Sequence, residues 1–339
     1  MKEKKKEMST AFVKKIIDEA CRLGLMHCMF TGGEPLVRRD FVELYSYARK
    51  KGIMATIATN GVLIDKKLIR VLKKLPPKCI NFSLYGFSRA SYARVAGADN
   101  YQQAHENLLL LQKNKITTFV KIPVFKFTMR EIKQNWDTVK AITGAAPGLI
   151  FNLFLRGYQD DVRKDIRIRK LRLSCKEKLE LLLLDEGRYR EHMRRFCAQF
   201  LCPPEDDYLF GCAGAQSHGA VDAYGYLQPC MSSRSPQTRF NLKINSLSDG
   251  VKNFFPKVLG MKAKDRRYLQ RCKHCVLTNL CESCPGNSFS EYAALDRPVE
   301  FLCKAAHYEA RYLGILKDNQ CGWQAKLNKK QLKNIINGI

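Results

Sequence analysis

Four cysteines fall within one short stretch, as Cys272-x2-Cys275-x5-Cys281-x2-Cys284, with Cys303 beyond them and Cys212 and Cys230 before. Gaps of two and five residues fold the chain back on itself and bring the sulfurs within reach of one metal centre, which core packing alone has no reason to arrange. The plain alternative is a set of reduced, buried cysteines, since thiols are common core residues. Disulfides belong to oxidising compartments and small secreted domains, and this chain has the marks of neither. Structural zinc stays open beside iron-sulfur, because paired Cys-x2-Cys units also build four-cysteine zinc sites. Thiolate ligands alone do not separate the two.

At 339 residues the chain exceeds one typical domain, so a large domain with a smaller one appended is the expectation. Hydrophobic residues at 45% and charged residues at 27% describe a globular protein rather than a disordered one. Fourteen cysteines, some of them odd ones in apolar runs (Cys21, Cys28, Cys79), point to a reducing cytoplasm. The charged start resembles no secretory segment, and apolar runs such as 149–155 are too short to span a bilayer. The net charge of +27 should attract polyanions. The basic residues are scattered, however, and no RNA-binding module accompanies them, so a solvated basic surface is the better reading.

From Ser9 the residues Phe12, Ile16, Ile17, Ala20 and Leu23 recur at helical spacing, with Ser9 or Thr10 as N-cap and Gly24 as C-cap. Strand is expected over 25–31, 53–58, 80–84, 117–124 and 149–155, and helix over 40–51, 65–75, 101–113 and 131–142. Such alternation, with strands apolar on both faces, argues for a parallel sheet covered by helices. In folds of this kind ligands bind at the carboxyl ends of the strands. Gly32-Gly33-Glu34-Pro35, Thr59-Asn60-Gly61 and Ser83-Leu84-Tyr85-Gly86 each end such a strand. Adjacent glycines let backbone approach a ligand closely, and Glu34 offers an anionic acceptor. A mere strand-ending turn is the competing reading of Gly-Gly-Glu-Pro.

Residues 156–172 read as an exposed, charge-dense loop, and 174–200 as one long helix whose Arg188, Arg190, Arg194 and Arg195 form a solvated face. Two short strands around Gly225 read as a hairpin that sets Cys230 opposite Cys212. Pro285-Gly286-Asn287 reads as a tight exit, residues 303–316 as a closing helix, and the last dozen residues as a basic amphipathic segment that packs or frays. His27, His218 and His274 read as polar neighbours rather than ligands.

The run from Phe30 to Leu36, then Thr59-Asn60-Gly61, then Ser83 to Gly86, resembles the radical SAM superfamily. The cysteine order Cys212, Gly225-x4-Cys230, Cys272, Cys275, Cys281, Cys284, Cys303 resembles its SPASM extension. The resemblance implies an α/β partial barrel over 1–155, a helical bridge over 156–205, a cysteine-rich domain over 206–320 and a basic tail over 321–339. By the same resemblance Gly32, Gly33, Glu34 and Pro35 would cradle the amino group of S-adenosylmethionine, with Thr59, Asn60 and Ser83 nearby. Cys272, Cys275, Cys281 and Cys303 would hold one auxiliary 4Fe-4S cluster. Cys212, Cys230 and Cys284 would hold a second, completed by Cys202, Cys197 or the substrate, and metal binding would be coupled to folding.

A peptide or protein side chain would be the substrate, and a flavodoxin or ferredoxin the electron donor. Neither membrane nor nucleic acid is expected as a partner. The family's Cys-x3-Cys-x2-Cys loop is not found in these 339 residues. The barrel is accordingly expected to lack its first strand, and the chain to be truncated and unable to cleave S-adenosylmethionine unaided. The alternative function is a non-catalytic ligand- or peptide-binding protein stapled by zinc or iron-sulfur sites.

Overall fold

Ser9 accepts the amide N–H of Phe12 at 3.2 Å and starts α1 (Thr10–Arg22). The chain leaves that helix through Gly24 at φ +83°, a left-handed conformation that glycine adopts at least cost. Strand and helix then alternate through β1 (His27–Phe30), α2 (Phe41–Lys50), β2 (Met54–Thr59), α3 (Lys66–Lys74) and β3 (Cys79–Ser83). They continue through α4 (Arg89–Ala96), α5 (Tyr101–Lys113), β4 (Thr118–Pro123), α6 (Met129–Thr143) and β5 (Gly148–Ile150). The structure is a computed structural model that describes residues 7–151, 153, 155, 162–282 and 284–339.

The strands form one parallel five-stranded sheet in the order β1-β2-β3-β4-β5, so each pairs with the next along the chain. This is the parallel α/β sheet that the alternation implied, and the partial barrel that the resemblance implied. The sheet's two faces differ, which corrects the expectation of strands apolar on both. Ala55, Ile57, Ile80, Phe82, Val120 and Ile122 point to one side and are buried. Tyr45 and Leu108 of the helices are buried likewise, at 0% and 2% exposure. The opposite face carries His27, Met29, Thr56, Cys79 and Asn81, joined side chain to side chain. A face that must hold polar groups cannot also be an apolar packing surface, and the strands' alternation encodes that division.

The chain divides into two compact units. The first comprises Met1–Asn152, Asp222–Gly225 and Leu242–Ser248, and the second Leu153–Val221, Tyr226–Asn241 and Asp249–Ile339. The two short excursions are held within the first unit by backbone: Met8 N–H donates to the Ala223 carbonyl at 2.9 Å, and Leu247 N–H to the Glu19 carboxylate at 2.6 Å.

In the second unit, α7 (Val162–Leu171) is a helix where an exposed loop was expected; residues 156–161 of that expectation lie outside the described residues. Its sequence lacks glycine and proline and is rich in arginine and lysine, both good helix formers, so charge density was a misleading sign of loop. The long helix expected over 174–200 is interrupted. It divides into α8 (Cys175–Leu182), a 3-10 turn at Leu183–Asp185, and α9 (Glu186–Phe200), because Asp185 caps the new helix by accepting from Arg188 N–H at 3.3 Å. Arg194 and Arg195 of α9 are exposed and pair with Glu191, whereas Arg190 pairs with Glu186 and also donates to the Ile339 carbonyl at 3.1 Å, so it is tied to the chain's end rather than left on a solvated face.

The expected hairpin is β6 (Ala220–Val221) against β7 (Tyr226–Gln228), turning at Gly225 with φ +86°, and a third strand, β8 (Phe240–Asn241), joins it. Short helices α10 (Leu247–Asp249), α11 (Phe255–Leu259) and α12 (Arg266–Gln270) lead to the cysteine run. Pro285-Gly286-Asn287 opens α13 (Pro285–Tyr292) instead of forming a bare exit, since proline suits the first helical turn. After α14 (Glu300–Tyr312), the chain ends in α15 (Lys329–Gly338), which packs against α9 and leaves Ile339 4% exposed in the core.

Candidate functional site

In the first unit the polar residues expected at the rim do meet, and Glu34 is the residue that joins them. It caps the 3-10 turn Pro35–Val37, accepting Leu36 N–H at 3.1 Å. The same oxygen accepts the Thr59 hydroxyl at 2.7 Å, and its other oxygen accepts Asn60 N–H at 2.7 Å. Thr59 Oγ1 in turn accepts Gly61 N–H, and Asn60 Oδ1 accepts Val62 N–H, both at 3.0 Å. One carboxylate therefore fixes the ends of β1 and β2 against each other. Gly32 has φ +141°, and a Cβ built on Gly32 or Gly33 would meet no heavy atom within 4 Å. The backbone here is open to a ligand, beside an anionic side chain that still has acceptor capacity.

Glu34 bonds Leu36, Thr59 and Asn60, and Ser83 is not among its hydrogen-bond partners. Tyr85 and Tyr92, with ring centroids 5.7 Å apart, feel the Glu34 charge, but burial is the main reason both phenols titrate late, Tyr92 at about 12. Tyr85 was named only as part of the Ser83–Gly86 strand end, and neither Tyr92 nor Asn107 of α5 was assigned to the rim. Its buried amide donates to the carbonyls of Gly61 and Val62 at 2.8 and 3.1 Å and holds the Thr59–Gly61 loop from behind.

Gly61 has φ +78°, and a Cβ there would lie 2.0 Å from the Phe82 ring. Gly61→Ala is therefore expected to cost about 2–4 kcal/mol, from left-handed strain and overpacking together. Urea denaturation checks it, and a cost below 0.5 kcal/mol, roughly the ceiling for neutral substitutions, would refute the contact.

On the polar face of the sheet His27 Nε2 lies 2.9 Å from Thr56 Oγ1, which is 3.8 Å from Cys79 Sγ. Asn81 Nδ2 donates to Met29 Sδ at 3.7 Å. Burial, and next Lys78, hold the His27 imidazole below its usual range. His218 and His274 are exposed.

In the second unit, Cys272, Cys275, Cys281 and Cys303 line one cavity together with Tyr268, Arg271, His307 and Trp323. Burial pushes the Cys272 thiol up to about 12 and Cys275 to about 11, and the neighbouring thiols add to it. Cys321 is near enough to act on Cys275 and Cys303, and the sequence reading had not selected it. Gly322 lets this segment close over the site, since a Cβ there would lie 2.6 Å from Cys275 Sγ.

Cys212, Cys230 and Cys284 form a second set. Burial raises the Cys284 thiol, the N–H groups of Asn287 and Gly286 oppose that, and Cys230 and Cys212 raise it further. Asn287 N–H reaches Cys284 Sγ at 3.4 Å, at the start of α13, where the helix dipole favours a thiolate. Cys202 is exposed. Cys197 is fully buried among Leu179, Tyr189 and Met193, as an ordinary core thiol.

Among the described residues no three His, Cys, Asp or Glu side chains converge on a point where they could share one metal ion. A tetrahedral zinc, with Zn–S near 2.3 Å, draws its sulfurs to about 3.8 Å of each other. A 4Fe-4S cluster binds each thiolate to a different iron, so it accepts a wider ring of thiols around a cavity. Four thiols spread around one cavity, Cys272, Cys275, Cys281 and Cys303, fit the second kind of group.

Residues 1–137 match the Radical SAM superfamily model, and this part of the chain is a radical SAM domain. The Fe-coproporphyrin III synthase of Methanosarcina barkeri is 32% identical over 136 residues, which cover 40% of this chain and 34% of that protein. The PqqA peptide cyclase of Gluconobacter oxydans is 31% identical over 102 residues, 30% of this chain and 28% of that one. The chain thus matches about a third of the length of these curated relatives. A solved structure of native anSMEcpe with bound AdoMet and Kp18Cys peptide superposes with a TM-score of 0.63, over 98% of this chain and 91% of that one. At 18% identity the likeness is one of fold. The family binds S-adenosylmethionine and a 4Fe-4S cluster. Among the described residues no helix is long and apolar enough to cross a membrane.

Proposed function

We propose that this chain is a cytoplasmic, radical SAM/SPASM-type iron-sulfur oxidoreductase that modifies a peptide or protein side chain, receiving electrons from a flavodoxin or ferredoxin. The observation that carries the reading is the grouping of Cys272, Cys275, Cys281 and Cys303 around one cavity in a chain whose N-terminal part is a radical SAM domain. Those four residues hold one auxiliary 4Fe-4S cluster. Cys212, Cys230 and Cys284, completed by Cys202, Cys197 or the substrate, hold the other.

Gly32, Gly33, Glu34 and Pro35 receive the amino group of S-adenosylmethionine, with Thr59 and Asn60 fixing the carboxylate that meets it and Ser83 beside them. When bound, the clusters supply one-electron chemistry that belongs to iron and sulfide rather than to side chains. The protein's part is to orient the ligand on the rim, to keep the cavity thiols out of water, and to present its polar sheet face. The names of the PqqA peptide cyclase and of the peptide-bound anSMEcpe support a peptide substrate. Because no Cys-x3-Cys-x2-Cys occurs in residues 1–339, this chain by itself binds S-adenosylmethionine without cleaving it.

Anaerobic purification tests the reading: brown protein with about eight irons per chain is expected. Cys272→Ser with Cys303→Ser should remove about half of them. Colourless protein carrying zinc would overturn the assignment in favour of a structural staple. With dithionite, release of 5′-deoxyadenosine would overturn the statement on cleavage.

A further inference from the structure

Arg271 stands beside the cavity of Cys272, Cys275, Cys281 and Cys303 and is held from three sides. Its two terminal nitrogens bond the Glu300 carboxylate as a fork, Nη1 at 2.9 Å and Nη2 at 3.3 Å. Its guanidinium lies 4.5 Å from the centroid of the Trp323 ring. The same Nη2 reaches toward Cys303 Sγ at 3.7 Å. Its Nε is buried and has no hydrogen-bond partner among the described residues. A buried donor without an acceptor is destabilising. In a residue lining a cavity of thiols, that donor is available to whatever the cavity binds.

We infer that Arg271 is a positioning residue that sets the reduction potential of the group bound by Cys272, Cys275, Cys281 and Cys303. It does so by holding a fixed positive charge and N–H donors against the Cys303 sulfur. This rests on the reading of those cysteines as iron-sulfur ligands. Hydrogen bonds to cluster sulfurs and nearby charge are among the terms that fix cluster potentials. Reduction adds negative charge, and a cation with a donor on the sulfur stabilises that form, so Arg271 raises the potential. Glu300 and Trp323 keep the guanidinium from swinging away, which a lysine on a flexible stem could not reproduce.

The test is a potentiometric titration, followed by EPR, of anaerobically reconstituted full-length protein. The signal that Cys272→Ser with Cys303→Ser abolishes identifies this site. If wild-type protein binds no iron, or that double variant loses none, the reading of the cysteines fails. Given the signal, Arg271→Gln should leave its iron in place and make the midpoint more negative by about 60 mV or more, a tenfold change in the one-electron ratio. Arg271→Lys should fall between wild type and Arg271→Gln. An unchanged midpoint with iron retained overturns the inference and leaves the cluster assignment standing. Should Arg271→Gln lose its iron, the Arg271→Lys midpoint decides, lowered supporting the inference and unchanged refuting it.

Discussion

Replacing Arg172 by methionine is expected to lower the stability of the second unit by about 3–5 kcal/mol, the usual cost of leaving one partner of a buried ion pair alone. Arg172 and Glu291 have side chains 11% and 7% exposed and bond each other through both guanidinium ends. Arg172 also donates to the Leu153 carbonyl at 2.7 Å and lies 3.9 Å from the centroid of the Phe301 ring. Without it Glu291 would keep, among the described residues, only Arg169 as an ion-pair partner, 3.9 Å away and half exposed. Adding Glu291→Leu to Arg172→Met should recover much of the loss, because the carboxylate is then no longer stranded. Urea denaturation of the wild type, both single variants and the double variant gives the coupling. A single-variant cost below about 1 kcal/mol would place the pair in the weak class of exposed bridges.

Glu34→Ala should weaken S-adenosylmethionine binding tenfold or more, since a hydrogen bond to a charged group contributes about 1.5–3 kcal/mol. The loss has two sources. The ligand's ammonium loses its acceptor, and Thr59, Asn60 and Leu36 lose theirs, so the ends of β1 and β2 are no longer tied. Glu34→Gln separates them. Its carbonyl can still serve Thr59 and Leu36, but its amide nitrogen cannot accept from Asn60, so binding should be intermediate. Calorimetry measures affinity, and circular dichroism confirms that the variants fold. Equal affinity in Glu34→Ala would remove Glu34 from the ligand site.

The strand-helix order was legible because apolar runs bounded by glycine, proline and asparagine leave few alternatives. Helix α4 was passed over although Ser88 and Ser91 form its capping box, because glycine and polar residues on either side read as one loop. The rim residues announced themselves by sitting at strand ends. Asn107 did not, since nothing local marks a side chain that works on a loop 46 positions away. The cysteine spacing pointed to a metal centre and the resemblance divided the thiols into two sets, but neither could show that residues 321–323 return to one of them. Cys321 followed by Gly-Trp was a usable signal: a thiol, a residue permitting close backbone approach and a flat apolar cover. Arg271 sits one position before Cys272 and was not singled out.

The sheet's strand order carries a kinetic consequence. Each strand pairs only with the one just before and just after it, so the first unit's sheet can assemble progressively as the chain leaves the ribosome, with little loop entropy to overcome at each step. The thiol sets follow a different schedule, because Cys212 must wait for Cys284 and Cys272 for Cys303 and the Gly322–Trp323 cover. With the proposed cluster assignment, iron would enter after synthesis has passed residue 323, into a chain whose sheet is already built.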